Sequence, residues 1–310
     1  MANIIFVPFA YKCSANTGVN IRKKKSSLDI YLKNCCVALI SARSSNSPDT
    51  ECALVTNIDI PSPYKELLSN NGILIIKQEF SCFDFPDSYR WALAFYKLCA
   101  LYEICRKTNY DNYAYIDSDV FVQKSFNDIW EECRHNILMY DLGEDLHSEE
   151  YGHFINEVWQ TTLVGESFIT HYGGEFFAAS RERAIAFSRY SKTIFEKMKV
   201  NGYTTTHGDE FIISIAAREF ESIIRNSEAY VSRLWTGTYR MIPSNYKEVS
   251  VLHMPAEKEY GFIRLFKLFV TKGKKLSMRQ VYHIVHINHP SLLTMLKRLV
   301  KVFVDKNKLS

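Results

Sequence analysis

Between residues 4 and 116, four short apolar runs alternate with helix-like segments, and this alternation constrains the fold most. Ile4 to Phe9, Cys52 to Thr56, Ile73 to Ile76 and Tyr113 to Ile116 have the length and apolar content of buried strands. Pro61 to Asn71 predicts a short helix, with Gly72 suited to a left-handed cap. Ahead of the fourth run, the sequence predicts a helix opened by Asp87 after Pro86. Its apolar positions Trp91, Phe95, Leu98, Leu101, Tyr102 and Cys105 keep helical spacing. Strands separated by helices require crossovers, so the expected class is α/β, with one mainly parallel sheet flanked by helices.

Composition supports a packed domain. Hydrophobic residues make up 47% of the 310 and charged residues 23%, which argues against disorder. No run approaches the roughly 18 apolar residues of a membrane span. The opening Met-Ala-Asn-Ile-Ile-Phe has no basic leader, and the eight cysteines form no Cys-x-x-Cys pair. Reduced thiols and a cytoplasmic location are the expectation. Charge is uneven. Residues 262–310 carry 11 Lys or Arg against Asp305 alone, a balance of +10, whereas residues 1–261 carry −6. The expected organisation is one α/β domain over 1–258 and a basic extension over 259–310.

The fourth run leads directly into Asp117-Ser118-Asp119. In open α/β sheets, ligands gather at the carboxyl ends of strands. Two carboxylates there suit Mg²⁺ or Mn²⁺, with diphosphate oxygens and water filling the remaining positions. An Asp after a strand also fits a simple turn cap. Downstream, Gly173-Gly174 stand just before an apolar run, where a missing Cβ would let a sugar or phosphate approach the main chain, or simply permit a turn. Ser180 stands at the start of a further helix, as a cap. Asp209 and Glu210 open another after His207-Gly208, where carboxylates either complement the helix dipole or face a reacting carbon. His253, after a short apolar stretch, is a candidate third metal ligand or a structural histidine. Lys258 could neutralise a diphosphate.

In this order, Asp117-x-Asp119, Gly173-Gly174, Asp209-Glu210 and His253 with Lys258 resemble the nucleotide-sugar glycosyltransferases of the GT-A fold. The spacing is most similar to family 8, the retaining bacterial lipooligosaccharide galactosyltransferases and glycogenin relatives. Phe95-Tyr-Lys97-Leu98 looks like that family's helix with a basic donor contact. Tyr172-Gly-Gly-x-Phe-Phe177 and His207-Gly-Asp-Glu210 also resemble family 6, the blood-group type transferases. The chain departs from family 8 at Tyr172, where that family has Asn, and in the His253-x-x-x-x-Lys258 spacing.

The resemblance covers roughly residues 1–258 and implies a Rossmann-like sheet, a UDP-sugar donor, Mn²⁺ (or Mg²⁺) and transfer with retention. By position, Asp117 would contact donor ribose and metal, Asp119 would hold the metal, and His253 would complete its site. Lys97 and Lys258 would bind diphosphate or sugar. Gly173 and Gly174 would belong to the donor site, with Gly174 bordering the sugar pocket. Asp209 and Glu210 would hold the donor sugar and face the reaction, and Tyr11, after the first strand, would stack on the base.

The extension points to the acceptor. Leu292, Met295, Leu296, Leu299, Val302 and Phe303 form one helical face, with Lys297, Arg298 and Lys301 mostly on the other. Phe262 to Val270 shows a similar mixture. Such stripes suit either an anionic leaflet or packing against the domain. The expected acceptor is a saccharide, as part of a lipid-linked glycan, lipopolysaccharide or capsule, met at the inner face of the cell membrane. No recognition motif in the tail suggests nucleic acid. A nucleotidyltransferase or other phosphoryl-transfer enzyme could use the same Asp pair, but the first strand ends in Val7-Pro-Phe-Ala-Tyr11 without a Gly-rich loop. A non-catalytic membrane-binding protein would need only the tail.

Overall fold

The structure is a computed structural model that describes residues 2–12, 27–87, 89, 91–146, 169–205, 208–237 and 240–288. Its strands are β1 (Asn3–Phe9), β2 (Thr50–Thr56), β3 (Leu74–Lys77), β4 (Asn112–Ile116), β5 (Val120–Val122), β6 (Ile137–Asp145), β7 (Thr170–Ser180), β8 (Ile224–Asn226), β9 (Val231–Arg233) and β10 (Val251–His253). The helices are α1 (Ser27–Ser45), α2 (Ser62–Asn70), α3 (Tyr96–Lys107), α4 (Asn127–Cys133), α5 (Arg181–Val200), α6 (Asp209–Glu219), α7 (Gly261–Leu265) and α8 (Met278–Ile284).

The expected α/β class is present. A seven-stranded sheet runs β3-β2-β1-β4-β7-β6-β8, and its first four strands are mutually parallel. β7 is antiparallel to both neighbours. Because strand side chains alternate faces, β1 sends Ile5 and Val7 into one core and Ile4 and Phe6 into the other. The first core lies under α1; the second lies under α3, α5 and α6. A second sheet, β5-β10-β9, has no counterpart in the sequence expectation, and it matters most for the site.

Three local expectations need correction. The helix does not open at Asp87. Residues 91–95 make tight turns instead, with Ala94 N–H on Trp91 O, and α3 begins only at Tyr96. Asp87 pairs with Lys12 at 2.9 Å. The third apolar run is an edge strand rather than a buried one, with Leu74 42% exposed. Gly173 and Gly174 lie inside β7, which starts at Thr170. Ser180 does occupy the cap position of α5, although its side chain makes no capping hydrogen bond there.

The extension is partly folded into the domain. Phe262, Leu265, Val281, Val285 and Ile287 are buried in the core under α1. Buried Glu257 accepts the Gly261 N–H (3.1 Å), contacts His286 Nδ1 at 2.9 Å and accepts the Thr236 hydroxyl. Arg240 donates to the carbonyls of His286 and Ile287. The stripe from Leu292 to Phe303 lies outside the described residues. Seven of the cysteines are described, all of them buried and none in a disulfide.

Candidate active site

The site forms where the two sheets meet. β4 ends at Ile116, Asp117-Ser118-Asp119 turns the chain, and β5 then leaves the main sheet for the small one. There β5 pairs with β10, placing His253 opposite Val120, while Met254 donates its N–H to Asp119 O at 2.9 Å. β10 also pairs with β9, which sets His253 opposite Arg233. On the other side of β4, the pair Ile116–Phe176 brings Glu175 next to Asp117, whose N–H donates to Glu175 O at 3.0 Å. The start of α3 contributes Lys97, and the first turn of α6 contributes Asp209 and Glu210.

These elements enclose a cavity of about 470 Å³. Its lining includes every expected site residue except the two glycines: Tyr11, Lys97, Asp117, Asp119, Asp209, Glu210, His253 and Lys258. The room left by the missing Cβ atoms is taken by protein groups. A Cβ at Gly173 would stand 2.0 Å from Glu175 Oε2; one at Gly174 would stand 2.4 Å from Asp209 Oδ2 and 2.8 Å from Lys97 Nζ. The glycines therefore shape the acidic side of the site from behind. His207 lies outside the described residues.

Charges inside the cavity are interleaved. Lys97 reaches Asp117 (3.2 Å), Asp209 (3.1 Å) and the Gly174 carbonyl (2.9 Å). Lys258 lies 3.1 Å from Asp119 Oδ2, and His253 Nε2 lies 3.4 Å from the same oxygen. Burial alone would raise the Asp119 carboxyl, but the Lys258 ammonium and the His253 ring outweigh it and hold it well below the usual range. Burial opposes charge on His253 too, yet Asp119 and Glu175 raise it to about 9. Glu210 contacts His171 Nε2 at 3.3 Å and accepts the Gly174 N–H at 3.4 Å. Burial would raise its carboxyl, but the His171 contact prevails and holds it below its ordinary value.

Asp209 behaves differently. Its burial, with Glu210 and Asp117 nearby, pushes it up to about 7 despite Lys97. Lys97 itself is raised well above its ordinary value, because it sits between two carboxylates and gains from both. The two shifts disagree about a single pair. Sharing resolves them, since one ammonium cannot neutralise Asp117 and Asp209 together.

The ligand atoms of Asp117, Asp119 and His253 all lie within 4.8 Å of one another, a group that could hold a metal ion. Asp119 Oδ2 is buried and makes no aligned hydrogen bond, despite charged groups at ion-pair distance. Buried polar atoms are normally satisfied. Two carboxylate oxygens and one imidazole nitrogen form a donor set that fits Mg²⁺ or Mn²⁺.

Three cavity-lining residues escape sequence reasoning, Glu175, Arg233 and Trp235, as does His171 behind Glu210. Glu175 is 2% exposed, with Oε1 3.3 Å from His253 Nδ1 and 3.7 Å from Arg233 Nε. An acid directly ahead of the apolar run Phe176-Phe177-Ala178, between it and two glycines, was the available signal. Trp235 lines the mouth, with Arg233 5.6 Å over its ring.

Among solved structures, the chain is similar to the apo form of mouse xyloside xylosyltransferase 1, at 12% identity and a TM-score of 0.49, over 81% of this chain and 96% of that one. No protein-family model matches the sequence, and no curated protein sequence does.

Proposed function

We propose that the chain is a metal-dependent glycosyltransferase of the GT-A type, moving a sugar from a nucleotide donor, UDP foremost, to a saccharide acceptor. One observation carries the reading: Asp117, Asp119 and His253 converge at the carboxyl end of a central parallel strand, in a cavity that also holds two part-buried lysines and two helix-opening carboxylates. That is the equipment for a diphosphate leaving group. When bound, the ion would offset charge building on the departing diphosphate. Lys258 and Lys97 add cationic charge to the same wall. Glu210 stays ionised, so it can stabilise positive charge growing at the anomeric carbon or attack it, as retention would require. Asp209, part protonated near neutral pH, can exchange hydrogen bonds with donor-sugar hydroxyls. Tyr11, two residues past the end of β1, lines the cavity and would stack on the base.

The acceptor part of the proposal rests on charge. The +10 of residues 262–310 favours an anionic membrane surface and a lipid-linked glycan, lipopolysaccharide or capsule acceptor at its cytoplasmic face. Residues 259–310 would be the membrane-facing unit, even where they pack on the domain. Among the described residues, no helix is long and apolar enough to cross a membrane.

The deciding experiment is thermal unfolding of wild type and Asp119→Ala with Mn²⁺, UDP or both. A ligand at 100 times its dissociation constant adds about 2.7 kcal/mol of apparent stability. UDP stabilisation that needs Mn²⁺ and disappears in the variant is expected. No shift with any nucleotide would refute the donor site.

A further inference from the structure

Glu175 is an expensive residue to keep where it is. It interrupts an apolar strand and is almost fully buried, and no metal or substrate chemistry has so far been given to it. An isolated buried carboxylate is strongly unfavourable unless paired. Its pairing is electrostatic: Oε1 lies 3.3 Å from His253 Nδ1 and 3.7 Å from Arg233 Nε, at ion-pair distance though not in aligned hydrogen bonds. The other ring nitrogen of His253, Nε2, faces Asp119 at 3.4 Å and Asp117 at 4.0 Å. The imidazole therefore separates two sets of carboxylates. The aspartates stand on the side of the candidate ion and Glu175 on the opposite side, which excludes it from the ligand group.

We propose that Glu175 is a positioning residue that holds the Nδ1–H of His253 and so presents Nε2 to the metal ion. The inference rests on the metal-site reading above and extends it to a residue outside the ligand set. Metal-bound histidines characteristically donate their second N–H to a carboxylate or carbonyl, which fixes tautomer and ring orientation. Three strands enforce the arrangement. β7 carries Glu175, β10 carries His253, and β9 sets Arg233 opposite His253. Gly173 leaves the space into which the Glu175 carboxylate folds back.

The test is Mn²⁺ binding by the full chain, followed through the EPR signal of the free ion, with and without UDP and with no acceptor. Glu175→Gln keeps the shape and removes the charge; its dissociation constant for Mn²⁺ should rise about 10-fold or more. Metal-free UDP binding should be retained, which a general packing defect would not allow; some fall in melting temperature is expected, because Glu175 also pairs with Arg233. Gly173→Ala supplies a second route, because its Cβ would displace the Glu175 carboxylate while leaving the charge in place. It should weaken Mn²⁺ binding in the same direction. Wild-type Mn²⁺ affinity in folded Glu175→Gln, or in Gly173→Ala if the first variant does not fold, overturns the role of Glu175 alone. Failure of the wild type to take up Mn²⁺ with or without UDP overturns the metal reading and this role with it.

Discussion

Asp209→Asn should make the protein more stable and less active at once. In the folded chain the Asp209 carboxyl is raised to about 7, chiefly by burial, against 3.8 for an ordinary aspartate. The folded state thus keeps a proton that the unfolded state has lost. With this sign, stability falls as pH rises from about 4 to about 7 and stays level above. At 1.36 kcal/mol per unit, the perturbed side chain costs about 4 kcal/mol at pH 8 and about 1–2 kcal/mol at pH 5, where the folded state holds the proton. Asparagine imitates the neutral form and escapes the cost, while Lys97 keeps Asp117 at 3.2 Å as its counter-ion. Urea unfolding of metal-free wild type and variant at the two pH values measures the difference directly. The expected gain is larger at pH 8 than at pH 5 by about 2–3 kcal/mol. Turnover, followed as UDP release from a UDP-sugar, should fall. A variant equally or less stable than wild type at both pH values would refute the electrostatic account of this carboxyl.

Two further outcomes follow from the same charges. Lys258→Met removes the ammonium 3.1 Å from Asp119. At an effective dielectric near 20, a like charge about 4 Å away costs an incoming ion about 4 kcal/mol per unit charge, so Mn²⁺ alone should bind tenfold tighter or more. UDP should bind more weakly in the same variant; calorimetric titration reads both, and weaker Mn²⁺ binding would sink the idea. His253 titrates at about 9 in the metal-free fold, above its ordinary 6.5. Its stabilising contribution is therefore full below about 6.5 and lost as pH rises through 9. Mn²⁺ competes with that proton, so affinity should increase across this window with proton release, measured in buffers of different ionisation enthalpy. A pH-independent affinity would mean that His253 is not a ligand.

The residues legible in sequence are those that stand at the ends of elements. Asp117 and Asp119 follow a strand, Asp209 and Glu210 open a helix, and His253 closes a short apolar run; all five line the cavity. Local pattern finds such positions because strand and helix termini are where chains meet ligands. Glu175 and Arg233 were hidden because their importance comes from pairing across strands far apart in sequence. The second sheet was missed because three-residue strands are too short to show a period. The late start of α3 has a similar origin. Trp91 keeps helical spacing in the sequence, yet its side chain lines the cavity.

The crossing of β5 into the small sheet also dates the site within the life of each molecule. His253 lies 134 residues beyond Asp119, and the β5–β10 pairing brings them together. A contact so distant in sequence closes late, after the local strands and helices have formed. A nascent chain emerging from the ribosome would therefore expose its acidic pair long before it could complete a binding pocket for the ion. On the proposed metal site, loading would mark the chains whose two sheets have joined.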